Sequence, residues 1–140
     1  MNVLPNIFII DDDPVCQILL RIGISQTGQQ NTVKTFNNGK EAIEHIEFGG
    51  NDTGDILIFL DLNMPVMNGW DFLDRLQHRD YKKRVVVVIT STSSLTEDKN
   101  RALKYPQVKL YQVKPLDPAF VKCLVEDFLK CTGSEENLID

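Results

Sequence analysis

The sequence predicts an α/β fold: five parallel strands in one doubly wound sheet, with helices on both faces. Three observations carry this expectation. Short β-prone apolar runs alternate five times with amphipathic stretches, the pattern of a parallel sheet covered on both sides. Three of the runs, 7–10, 56–60 and 85–89, are apolar throughout, as strands buried on both faces are. The other two, 32–36 and 108–113, carry Lys34, Lys109 and Gln112, which suits the sheet edges. Edge placement of the second and fifth strands gives the order 2-1-3-4-5.

Each element has its own signal. Ile7-Phe8-Ile9-Ile10 is a compact strand. Pro14 suits a first helical turn, and Val15, Ile18, Leu19 and Ile22 recur at helical spacing up to about Gln26. Thr32 to Phe36 alternates like a strand. Asn38 to Phe48 sets Ala42, Ile43 and Ile46 on one helical face. Ile56 to Leu60 is the third strand, and Trp70 to Gln77 the third helix. Val85-Val86-Val87-Val88-Ile89 is the strongest strand in the chain. Thr96 to Lys104 is a more polar helix, which Pro106 ends sharply. Val108 to Val113 is the fifth strand and Pro118 to Cys131 the last amphipathic helix. Residues 1–131 therefore read as one domain, and Thr132 to Asp140 as a polar acidic tail that frays.

Composition narrows the functional classes. A chain of 140 residues, 42% hydrophobic and 25% charged, has the size and make-up of one soluble domain. Fifteen basic against twenty acidic residues give a net charge of -5. That argues against nucleic acid or an anionic membrane as the main partner, because both require a basic footprint. No apolar run reaches the length of a membrane span. Met1 to Pro5 contains no basic residue, so no signal peptide is expected. Three cysteines, Cys16, Cys123 and Cys131, stand at no metal-like spacing. They point to reduced thiols filling space in a cytoplasmic protein.

In sheets of this kind the site lies at the carboxyl ends of the strands. There the sequence places Asp11-Asp12-Asp13 after the first strand and Asp61 after the third. Thr90-Ser91-Thr92 follows the fourth strand and Lys114-Pro115 the fifth. Each has an ordinary structural role: Asp13 before Pro14 is a helix cap, and the others suit turns. Collected in one crevice, they pose a different problem. Asp11, Asp12 and Asp61 would raise one another's pKa unless something positive intervened. Mg²⁺ suits the need, since it takes one or two carboxylates with waters and a phosphate oxygen. Lys114 adds a second positive charge and Thr90 a hydroxyl donor. A carboxylate in those surroundings is equipped to attack phosphorus and hold the phosphoryl group.

These segments resemble the receiver domain of two-component response regulators, in a flavodoxin-like (βα)5 fold. The resemblance rests on Phe8-Ile9-Ile10-Asp11-Asp12, on Leu60-Asp61-Leu62-Asn63-Met64-Pro65 with Asn68-Gly69, on Val88-Ile89-Thr90-Ser91, and on Tyr111-Gln112-Val113-Lys114-Pro115. Asn38-Gly39-Lys40-Glu41-Ala42 resembles the start of the family's second helix, and the likeness spans about residues 6 to 131. At this size the chain is similar to the stand-alone chemotaxis regulator.

The resemblance implies roles. Asp61 is the phosphoacceptor, taking its phosphoryl group from a phosphohistidine on a histidine kinase or phosphotransfer protein. Mg²⁺, or Mn²⁺ in its place, is held by Asp12 directly, Asp11 through water, Asp61, and the backbone carbonyl of Asn63. Thr90 is the switch hydroxyl, with Thr92 as the alternative two residues on. Tyr111 is the aromatic that turns inward, and Lys114 pairs with a phosphoryl oxygen across a cis peptide to Pro115. Ser91 leaves room for the phosphoryl group. Asn63 and Thr92 flank the attack path and tune the decay. Output passes through the face formed by the fourth helix, fifth strand and fifth helix to an unnamed protein target. The protein is then a monomer or a phosphorylation-dependent homodimer, and a signalling protein rather than an enzyme.

Two rivals remain open: a receiver-like binding module that works without phosphorylation, and an Asp-nucleophile phosphohydrolase. The hydrolase resembles haloacid dehalogenase-type phosphatases, which need a second Asp two positions on as general acid; here that position is Asn63. Met64, Met67 and Trp70 read as packing residues, and His45 and His78 as solvent-facing.

Overall fold

The computed structural model describes residues 5–28, 32–49, 54–78 and 84–134. Strands and helices alternate: β1 (Asn6–Ile10), α1 (Pro14–Ser25), β2 (Thr32–Phe36), α2 (Gly39–Glu44), β3 (Ile56–Asp61), α3 (Gly69–Leu76), β4 (Val85–Ser91), α4 (Thr96–Leu103), β5 (Val108–Val113) and α5 (Pro118–Ser134). All neighbouring strands pair in parallel, in the order β2-β1-β3-β4-β5. The doubly wound five-stranded sheet expected from the sequence is therefore present, with its less apolar strands at the edges.

Period-two alternation explains why the central strands are apolar throughout. Phe8, Ile10, Ile58, Leu60, Val87 and Ile89 face one core, closed by Ala42 and Ile43 of α2, Phe72, Leu73 and Leu76 of α3, and Ala102 of α4. Ile7, Ile9, Leu57, Phe59 and Val88 face the other, closed by α1 and α5. The helix starts are built locally. Asp13 caps α1, Asn38 caps α2 and Asn68 caps α3, each with a side-chain oxygen accepting a backbone N–H. Such caps stabilise a helix by about 1 kcal/mol.

Three details depart from the sequence reading. In α1 the buried side chains are Cys16, Leu20 and Ile24, with Gly23. Val15, Ile18 and Ile22, the apolar residues read at helical spacing, are instead 64%, 57% and 41% exposed. Gly23 decides the orientation. A Cβ there would lie 2.6 Å from Val121 Cβ and 2.7 Å from the Pro118 carbonyl oxygen, so only the glycine face admits α5 this closely. Second, His45 is half-buried rather than solvent-facing. It begins a π-helical turn over His45–Gly49 that continues α2. Its ring meets Phe8 and Phe36 at centroid distances of 5.6 and 5.4 Å. Third, α5 continues to Ser134, past the expected end at Cys131. The remainder of the acidic tail, 135–140, lies outside the described residues.

On the opposite flank α4 is fastened to α3. The Arg101 guanidinium lies 4.0 Å from the Trp70 ring centroid, and the Tyr105 hydroxyl donates to Asp74. No helix among the described residues is long and apolar enough to cross a membrane.

Candidate functional site

The register brings the strand ends together. Ile10 pairs with Leu60 across β1 and β3, which aligns the chain positions of Asp11 and Asp61. Asp61 in turn pairs with Thr90 across β3 and β4. Lys114 leaves β5 with its N–H donating to the Ser91 carbonyl at 2.7 Å. The Lys114–Pro115 peptide is cis.

Four of the expected site residues converge. One carboxylate oxygen each from Asp11, Asp12 and Asp61 lies within 4.8 Å of the others, with Asp11 and Asp61 buried and Asp12 exposed. The Lys114 ammonium stands 3.0 Å from Asp11 Oδ2 and 3.6 Å from Asp61 Oδ2. Asp11 Oδ2 is fully buried, and the Lys114 ammonium is its ion-pair partner. Asp11 Oδ1 accepts from the Asp13 N–H at 2.9 Å, and Asp61 Oδ1 from the Asn63 N–H at 3.2 Å.

The electrostatics follow from burial and crowding. The Asp61 carboxyl is pushed up to about 6, first by burial and next by the charge of Asp11, against the pull of the Asn63 N–H and Lys114. Burial draws the Lys114 ammonium down, but Asp11 and Asp61 outweigh it and the net shift is upward. Burial and the Asp11 carboxylate hold the neighbouring Cys16 thiol protonated, well above its ordinary range.

Three carboxylates and one ammonium leave negative charge uncompensated. A hard divalent cation fits this donor set. The oxygens are all carboxylate and lie within 4.8 Å of one another, a hard-oxygen set of the kind such an ion takes. Asp11, Asp12 and Asp61 would hold it, and it would supply charge neutralisation at a phosphoryl oxygen.

The remaining expected residues divide. Thr90 is fully buried, and its hydroxyl finds no partner among the described residues. Ser91 is fully buried beside it. Thr92 and Asn63 are exposed, and Thr92 lines a cavity of about 210 Å³ with Lys114 and Asp13. Tyr111 is buried inward, its hydroxyl donating to the Ser93 carbonyl at 2.9 Å. Gly69 lets α3 begin against the site, since a Cβ there would lie 2.5 Å from the Asp61 carbonyl oxygen.

Two participants are not legible as such in the sequence. Gln17 donates to the Asp11 carbonyl oxygen at 2.5 Å; nothing in the sequence marks it. Asp13, expected as a cap, also turns Oδ2 to within 3.9 Å of Lys114 Nζ. Its place in a run of three aspartates is the available signal.

The crevice thus gathers acids, a hydroxyl and a lysine at the carboxyl ends of a 2-1-3-4-5 sheet. Comparison with known proteins gives the class: residues 7–125 match the response regulator receiver domain, and the chain belongs to that family. It is 36% identical over 124 residues to the nitrate/nitrite response regulator protein NarL of Escherichia coli, covering 89% of this chain and 51% of that protein. The chain thus spans about half the length of that relative. Over 126 residues it is 27% identical to the two-component response regulator ORR5 of Oryza sativa, covering 90% of each. A crystal structure of a response regulator receiver domain from Rhodospirillum rubrum superimposes with a TM-score of 0.75 at 26% identity, covering 89% of this chain and 93% of that one. The Mn²⁺-bound form of response regulator Rcp1 shares the fold at 20% identity and a TM-score of 0.71, covering 89% and 91%.

Proposed function

We propose that this protein is a phosphorylation switch in which Asp61 accepts a phosphoryl group from a phosphohistidine on a histidine kinase or phosphotransfer protein. The observation that carries the reading is the single ammonium of Lys114 standing 3.0 and 3.6 Å from Asp11 and Asp61, inside a cluster suited to Mg²⁺ or Mn²⁺.

In the transfer an Asp61 oxygen bonds to phosphorus while the P–N bond of the donor breaks and the imidazole leaves. Lys114 exchanges a carboxylate contact for a phosphoryl oxygen, whose charge is greater in the product. Thr90 is the preferred switch hydroxyl over Thr92, because a buried hydroxyl without a partner gains most from a new acceptor. Asn63 and Thr92, exposed on either side of the approach, would tune hydrolysis. Asn63 also weighs against the hydrolase reading, since it offers no acid to a leaving group. Movement of Thr90 would bias α4, β5 and Tyr111, and so the α4–β5–α5 face that meets an output protein or a second copy. The donor would dock across Val15, Ile18 and Ile22, an apolar face beside the pocket that no other described element covers. This work belongs in the cytoplasm, with no nucleic acid or membrane engaged directly.

Incubation with Mg²⁺ and acetyl phosphate, followed by intact mass, tests the reading. One phosphoryl group is expected on the wild type, lost on removal of Mg²⁺, and none on Asp61→Asn. Addition undiminished in that variant would show that the acceptor lies elsewhere.

A further inference from the structure

Lys114 is shared by a third carboxylate. Asp13 Oδ1 accepts from the Val15 N–H at 3.0 Å, capping α1. The cap fixes the carboxyl group, and Oδ2 is left 3.9 Å from Lys114 Nζ. The burial of the three acids differs. The side chains of Asp11 and Asp61 are 0% and 6% exposed, whereas that of Asp13 is 43% exposed. Asp13 therefore stands at the mouth of the crevice. With Thr92 and Lys114 it lines the cavity of about 210 Å³, among mostly apolar neighbours that include Val15, Leu19 and Leu116. A phosphoryl donor that approaches Lys114 from solvent therefore meets a half-exposed carboxylate already 3.9 Å from that ammonium.

From this geometry we propose that Asp13 is a specificity-determining residue that selects donors by charge, favouring phosphoramidates over acyl phosphates. The inference rests on the reading of Asp61 as acceptor. Acetyl phosphate reaches the site as a dianion. A phosphoramidate carries its proton on nitrogen and arrives with less net charge, and phosphohistidine belongs to that class. In the first case the Asp61 oxygen bonds to phosphorus as the P–O bond breaks and acetate leaves as an anion. In the second the P–N bond breaks, and ammonia leaves neutral with the protons it already held. Both give the same aspartyl phosphate, so a change in their rate ratio reports on the approach and not on the product. Asp13 repels the more highly charged donor more strongly, and it competes with that donor for Lys114.

The test measures labelling of Asp61 at saturating Mg²⁺ with acetyl phosphate and with phosphoramidate, in wild type, Asp13→Asn and Asp13→Ser. Asn and Ser keep the helix cap, so only the charge is removed. The acetyl phosphate to phosphoramidate rate ratio should rise roughly three- to sevenfold at low salt. That is the effect of one charge across ~7 Å at an effective dielectric of ~40 to ~80. The difference should shrink as salt is added, which a purely structural role for Asp13 would not produce. An unchanged or lowered ratio, with Asp61 still labelled in all three proteins, overturns the role of Asp13 alone. Failure of both donors to label wild-type Asp61 overturns the acceptor assignment with it.

Discussion

The acidic pocket and the outward face of α1 lie side by side and meet at Asp13, yet each is unsatisfied in a different way. The pocket buries negative charge that one ammonium does not neutralise. The helix face leaves Val15, Ile18 and Ile22 in water while the opposite stripe of the same helix packs against the sheet and α5. Ordinary folding would pair the first and bury the second. The difference is in what completes them. The buried charge asks for a cation, and apolar surface asks for a protein. On the proposed reading, a phosphoacceptor served by another protein needs both within reach of one another.

The sharpest way to break this comparison is to exchange the two stripes of α1. Leu20 is fully buried, and Leu20→Ala should lower stability by about 2–5 kcal/mol through lost burial and the cavity left behind. Ile18 is 57% exposed, and Ile18→Ala should change stability by less than about 0.5 kcal/mol, with acetyl phosphate labelling unaltered. Urea unfolding of the two variants decides it. Equal losses would mean that the Ile18 stripe is held in the core after all.

The same helix shows what a sequence does and does not disclose. Apolar residues at 15, 18, 19 and 22 make one good helical stripe, and those at 16, 20, 23 and 24 make another. Period alone cannot rank them. The decision lies in Gly23 against Val121 and Pro118, a tertiary contact across nearly a hundred residues. The strands are readable because β1, β3 and β4 are buried on both faces and so carry no competing pattern. The pocket is readable for a related reason. Acids, a hydroxyl and a lysine that directly follow apolar strands are too many for turns and caps alone once the strand order gathers them. Gln17, bonded to the Asp11 carbonyl, and the second contact of Asp13 depend on side-chain direction, which spacing does not encode. His45 departs from its expected place in solvent because a histidine on a helix gives no sign that Phe8 and Phe36 wait beneath it.

A smaller effect sharpens the charge side. The Asp61 carboxyl lies near 6 in the folded protein and near 3.9 unfolded. The native state therefore holds the extra proton between those values, and stability falls as pH rises through that window. Removing the charge should relieve this. Without a divalent cation, Asp61→Asn should be more stable than wild type by about 1–2 kcal/mol at pH 7.5, and the gap should narrow toward pH 4. Excess Mg²⁺ should raise the wild type and close the gap at neutral pH. Denaturant midpoints at pH 4 and 7.5, with and without Mg²⁺, test this. A gap that widens on acidification would show that Lys114 already neutralises Asp61.

The smallest effect belongs to the loop between the pocket and α3, where the chain rather than a side chain is unsatisfied. Val66 has φ 68, and the Met67 N–H donates to the Pro65 carbonyl at 2.7 Å. Together these place Val66 at the centre of a γ-turn of the rare, strained hand. A β-branched residue is poorly suited to positive φ, and its side chain, 77% exposed, gains little from packing. Val66→Gly removes the Cβ that makes the turn costly, at the expense of greater freedom in the unfolded chain. The strain of ~1–3 kcal/mol exceeds that entropy term of ~0.4–1 kcal/mol, so a net gain near 1 kcal/mol is expected. For a chain of this length that is a rise of about 2–4 °C in Tm. A fall in Tm would mean that Val66 holds the loop in place by contacts rather than enduring it, and the loop would then resemble the core more than the open face of α1.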